Sequence, residues 1–146
     1  MALSLAEWRR SGIGRQTLCR GDAADEVRLP DPAAAEDIVG HILCFHGRHT
    51  PYLSTSETYE QAQHFAGGGR VWQTTATSAE SRDVKHLSRT EILGILNRKS
   101  QRFSNNHERL KAMDLVRRHA EHLLNFRSVS KLSESELRRL VTELFT

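Results

Sequence analysis

The chain has 146 residues, 38% hydrophobic and 27% charged, with a net charge of +3. That suffices for one soluble domain with a real core, and no run of about 18 apolar residues exists to cross a membrane as a helix. The two cysteines, Cys19 and Cys44, make no disulfide framework and read as free thiols in a reducing compartment.

Arginine outnumbers lysine seventeen to four. Guanidinium forks suit phosphates and carboxylates, so the composition fits an anionic ligand. The N-terminal MALSLAEWRR lacks the apolar core of a secretory signal, and Ser4 with Glu7 fits a capping box instead. The expected location is the cytoplasm, or outside the cell as an effector exported without that signal.

A first helix is expected at residues 5–10, stopped by Gly12 and Gly14. QTLCR (16–20) reads as a strand, followed by a loop. Asp31-Pro32 supplies an N-cap and first helical residue for a helix through about Val39. HILCFHGRHT reads as a short strand or an irregular connection. A β-type run at Tyr52-Leu53 then gives way to a helix over 57–66, with Tyr59, Ala62 and Phe65 on one face and Gly67-Gly68-Gly69 as its stop. RVWQTTATS (70–78) is β-rich and reads as a strand, and DVKHL adds a brief one. Ser88 with Glu91 predicts a capped helix start, and Asn106 caps a helix over 107–119. HLLNFRSV (122–129) reads as the last strand. Ser133 with Glu136 caps a terminal helix through about Leu144. The fold class is α+β in a single domain.

The stretch PYLSTSETYEQAQHFA places three hydroxyls where strand meets helix. A cap needs one of them, at the residue before the helix, which is Ser56 if the helix opens at Glu57. Ser54 lies one pleat repeat earlier on the same side, and capping gives no reason for it.

Three pieces in order resemble the ADP-ribosyltransferase family of the Arg–Ser–Glu type. They are TLCRGD with Arg20 at a strand end, YLSTS leading into a helix, and Glu121 at the start of a late strand in HAEHLLNFRSV. The resemblance spans roughly residues 16–132, with YLSTS its only locally specific piece. It implies a pair of small packed β-sheets with flanking helices, and NAD held in the cleft between them. The implied reaction breaks the nicotinamide–ribose bond and passes ADP-ribose to an acceptor.

Departure of nicotinamide builds positive charge on the ribose ring, which a carboxylate stabilises much as in a glycosidase. The resemblance therefore implies that Glu121 binds a ribose hydroxyl and faces the developing cation. Arg20 anchors a phosphate or ribose, with Gly21 beside it. Ser54 bonds the carboxylate or the ribose, and Thr55 braces the cleft. Tyr52 and Phe65 are the nearest aromatic candidates for stacking on nicotinamide. His119 stands where the family's Glu/Gln-x-Glu signature places its first residue, a departure that argues against arginine as the acceptor. Glu91 is a rival for the catalytic role, but Ser88-x-x-Glu91 is well explained as a cap, and Glu121 is preferred.

The acceptor is unknown, with a protein preferred over a nucleic acid. A toxin or effector role would imply an immunity or host partner. Two alternatives stand beside this reading, an inactive module that keeps the fold for interaction and a small Arg-rich nucleic-acid-binding protein. Cys44, His46 and His49 have spacings a metal could use, yet no second cluster completes four ligands, so no metal is assigned.

Overall fold

The computed structural model describes residues 17–45, 47, 49–98 and 106–146. The expected helix at 5–10 and its Ser4–Glu7 cap lie outside these residues. The fold is mixed α+β: a five-stranded antiparallel sheet with six helices among the described residues. The strands are β1 (Thr17–Asp22), β2 (Tyr52–Ser56), β3 (Arg70–Thr75), β4 (Lys85–Leu87) and β5 (Glu121–Asn125), in the order β3-β1-β2-β5-β4. The helices are α1 (Ile38–Ile42), α2 (Tyr59–Ala66), α3 (Ala76–Glu80), α4 (Arg89–Arg98), α5 (Asn106–Arg118) and α6 (Glu134–Leu144).

Capping chemistry sets most helix starts. Ser133 and Glu136 form a reciprocal capping box on α6, and Ser88 and Glu91 exchange the same pair of bonds ahead of α4, as the spacing predicts. Three expectations fail locally. The helix after Asp31-Pro32 does not form there: Asp31 closes only a turn to Ala34, and its N–H is taken by the Thr50 carbonyl. The helix starts later, when Asp37 accepts from Gly40 N–H at 2.8 Å. The strand expected over 70–78 ends at Thr75, whose hydroxyl accepts from Ser78 N–H and opens α3. The last strand stops at Asn125: Phe126 N–H still reaches the Pro51 carbonyl in register, but Pro51 has no N–H to return, and a 3₁₀ turn follows at Arg127–Val129.

Alternation along the strands builds a core on each face of the sheet. Leu18, Leu53, Trp72 and Leu124 pack with Leu137, Val141 and Leu144 of α6. Tyr52, Leu87 and Leu123 pack on the other face with residues of α1, α4 and α5.

One seam in the sheet is thin. β1 shares six residue pairs with β3, and β2 shares five with β5, but β1 and β2 meet only at Cys19 and Ser56. The described strands are thus one sheet rather than the expected pair, its two halves joined by that single bridge.

Helix α2 packs across β1 through a contact only glycine permits. A Cβ on Gly21 would sit 1.8 Å from the Ala62 carbonyl oxygen and 2.8 Å from Ala66 N. Gly21→Ala must therefore push α2 off the strand. The expected cost is about 1–3 kcal/mol, read as a lower unfolding midpoint in urea.

Candidate active site

A cavity of about 450 Å³ lies at the β1–β2 seam, lined by residues of both strands, within the range of small-ligand sites. Arg20, Gly21, Ser54, Thr55, Phe65 and Glu121 all line it. The sequence thus distributes these residues over β1, β2, α2 and β5, and the fold brings them to one place.

Arg20 is 8% exposed and spans the seam. Its Nε and Nη2 donate to the Asp22 carboxylate at 2.8 and 3.0 Å, and Nη1 donates to the Ser54 carbonyl at 2.9 Å. Three of five guanidinium N–H groups are committed to protein, leaving two for a ligand.

Glu121 opens β5 opposite Ser56. The preceding residue, Ala120, adopts a left-handed φ of 48° where α5 turns into the strand. Ala120 accepts Glu57 N–H at 3.0 Å, which helps fix that turn. A non-glycine residue in this region is strained, and such strain clusters at functional sites. Burial pushes the Glu121 carboxyl from its ordinary 4.5 up to about 7, against the opposing effects of a hydrogen bond with Ser54 and the Arg20 charge. A carboxyl near neutrality changes charge at working pH, which suits it to stabilising a cation or moving a proton.

Ser54 also faces a histidine. Its Oγ lies 2.8 Å from Nε2 of His41, whose Nδ1 lies 2.8 Å from Thr50 Oγ1. Burial, then the Arg28 and Arg20 charges, lower the His41 pKa to about 3, so the ring is neutral at working pH.

Thr55 donates to the His122 carbonyl at 3.1 Å and ties β2 to β5. Phe65 is half exposed and meets His119 edge to face at 4.8 Å. Burial, then Arg118 and His64, lower the His119 pKa, so this wall of the cavity is a neutral imidazole. Burial, then Glu60, raise the Cys19 pKa, which keeps that thiol protonated.

Two residue assignments change. Tyr52 does not line the cavity: it is buried with α1 and α5, and its hydroxyl accepts from Arg127 Nη1 at 2.7 Å. It backs His41 instead, with ring centroids 5.4 Å apart. Ser56 does not cap the following helix. Thr58 does, accepting from Gln61 N–H, while Ser56 donates to the His119 carbonyl at 2.7 Å and accepts from Thr58 N–H. The strand runs three residues past the expected Leu53 because Ser56 pairs with Glu121, and the helix starts two residues later than expected, at Tyr59.

The rival carboxylate lies elsewhere, as does the neighbouring Glu57. Glu91 is exposed and caps α4. Glu57 bonds His122 Nε2 at 2.7 Å and pairs with Arg89. The spacing of Cys44, His46 and His49 is incompletely described, since His46 lies outside the described residues. Among the described residues no group of three or more His, Cys, Asp or Glu is placed to hold a metal ion.

His41, Arg28 and Leu115 also line the cavity and were not singled out by sequence reasoning. HILCFHGRHT gives no strand or helix period that would aim His41 at Ser54. The Asp37 cap, three residues before Gly40, was the one available signal. The chain matches no known family model, no curated protein and no solved structure.

Proposed function

We propose that the chain is an NAD-dependent mono-ADP-ribosyltransferase of the Arg–Ser–Glu type, which breaks the nicotinamide–ribose bond and transfers ADP-ribose to an acceptor. The observation that carries this reading is the convergence of Arg20, Ser54 and Glu121 on one cavity. The thin seam between β1 and β2 supports the cleft that this reaction needs. The ADP-ribosyltransferase-like fold itself is part of the proposal.

In this reading Arg20 holds the mouth of the seam and offers its remaining N–H groups to ribose or phosphate oxygens. NAD is the substrate, and loss of nicotinamide leaves positive charge on the ribose ring. Ionised Glu121, 8% exposed, stabilises that charge with little solvent screening at the carboxylate. The neutral His119 gives no negative charge to attract a guanidinium, which argues against arginine as the acceptor. A protein acceptor and a toxin or effector role, with an immunity or host partner, belong to the same proposal.

Purified protein mixed with NAD should release nicotinamide, alone or with an acceptor. Glu121→Ala should lower that rate at least about a hundredfold, and Glu91→Ala should leave it near wild type. Loss in Glu91→Ala with retention in Glu121→Ala would reassign the catalytic carboxylate. No NAD binding by calorimetry at millimolar concentration would replace the enzyme with an interaction module.

A further inference from the structure

His41 sits in α1, 8% exposed, between two hydroxyls that differ in what surrounds them. Thr50 is 2% exposed, and its oxygen already accepts Tyr52 N–H at 3.3 Å. A hydroxyl carries one proton and two acceptor sites. If Thr50 also accepted from His41, its own proton would be buried without an acceptor, which is costly. Thr50 therefore donates to His41 Nδ1. The ring is neutral, so its proton lies on Nε2 and is donated to Ser54 Oγ. Ser54 keeps its own proton, and the Glu121 carboxyl is there to take it: register Ser54↔Leu123 and Ser56↔Glu121 puts Glu121 diagonally beside Ser54 on the same sheet face, and the Ser54 hydrogen bond restrains its pKa.

We propose that His41 is a positioning residue: held in the Nε2–H tautomer by Thr50, it commits the single proton of Ser54 to Glu121. The polarity runs Tyr52 N–H to Thr50, Thr50 to His41, His41 to Ser54, and Ser54 to Glu121. The opposite tautomer would draw the Ser54 proton toward His41 and leave the carboxylate without its donor. A donor fixed in this way is oriented before substrate arrives, so no reorganisation is needed as charge develops. The other charged or titratable groups lining the cavity with Glu121 are Arg20, Arg28, Cys19, Cys44 and His119. None of them is in the chain of bonds, which separates this device from a general electrostatic effect. The catalytic consequence rests on the transferase reading, whereas the tautomer does not.

The test uses the full chain and NMR. Nitrogen-15 spectra of histidine-labelled protein should show His41 protonated on Nε2, and protonation on Nδ1 overturns the proposal. Carbon-13 titration of Glu121 should give a midpoint near the expected value of about 7. Ser54→Ala should raise that midpoint by about one pH unit. Thr50→Val should admit the second tautomer and move the Glu121 midpoint toward the Ser54→Ala value, while Thr50→Ser should restore both. An unchanged tautomer and midpoint in Thr50→Val would overturn the assignment. If Thr50→Val does not fold, the wild-type tautomer and the Ser54→Ala titration still decide it. In turnover, Thr50→Val should lower kcat for nicotinamide release about tenfold with KM nearly unchanged. Absence of turnover in the wild type itself overturns the transferase reading and leaves the two NMR readouts to judge His41.

Discussion

Glu121→Gln should stabilise the protein by about 3 kcal/mol above roughly pH 8, and the gain should vanish below about pH 5. The sign follows from the direction of the shift. Burial raises the folded-state pKa to about 7 from an ordinary 4.5. A carboxyl raised in this way contributes most favourably below its unfolded pKa, and that contribution is lost as pH rises through about 7. Above that pH the wild type holds a buried charge that costs folding energy, and glutamine removes it while still accepting a hydrogen bond from Ser54. Urea unfolding at acid and alkaline pH reads the difference directly. Equal stabilities of the two proteins across that range would show that Glu121 ionises as an exposed carboxylate does. Under the transferase reading the same substitution abolishes nicotinamide release, and wild-type activity should rise with pH through about 7 as the carboxylate forms. A residue that costs stability yet is needed for turnover is the usual trade at an active site.

Arg20→Lys and Arg20→Met should both lower stability by about 1–3 kcal/mol, but only the second should alter Glu121. The guanidinium holds Asp22 through two nitrogens and the Ser54 carbonyl through a third. An ammonium cannot span those acceptors in one plane, so the bridge across the β1–β2 seam is lost in either variant. Lysine keeps the positive charge that restrains the Glu121 pKa, whereas methionine removes it and should push the Glu121 midpoint above 7. Denaturant unfolding and the Glu121 titration together separate the fork from the charge. Equal Glu121 midpoints in both variants would show that the Arg20 charge does not reach the carboxylate. If Arg20 also binds substrate, both variants raise KM for NAD.

The resemblance carried by TLCRGD, YLSTS and HAEHLLNFRSV named Arg20, Ser54, Thr55 and Glu121, the hydroxyl run in YLSTS being more than a single cap requires, and the fold brings these four residues to one cavity. The sequence also identified the capped starts of α4 and α6, since a capping box is a local bargain between residues three apart. The α+β class was legible from alternating strand and helix patterns. Boundaries shifted where two local chemistries competed: Ser56 could cap or pair, and pairing with Glu121 decided it. Tyr52 could not be told from a ligand contact by sequence, because the face it shares with Ser54 is open at one end and covered by α1 and α5 at the other.

Only the tertiary structure decided that β1 and β2 meet at one residue pair and that a cavity lies at that seam. It also supplied His41, from a segment without a period, and Thr50, whose buried hydroxyl gives the bond chain its direction. Residue type and local spacing state which groups can donate or accept. Which of them lose their water, and so must find each other, is set by packing between elements distant in the chain.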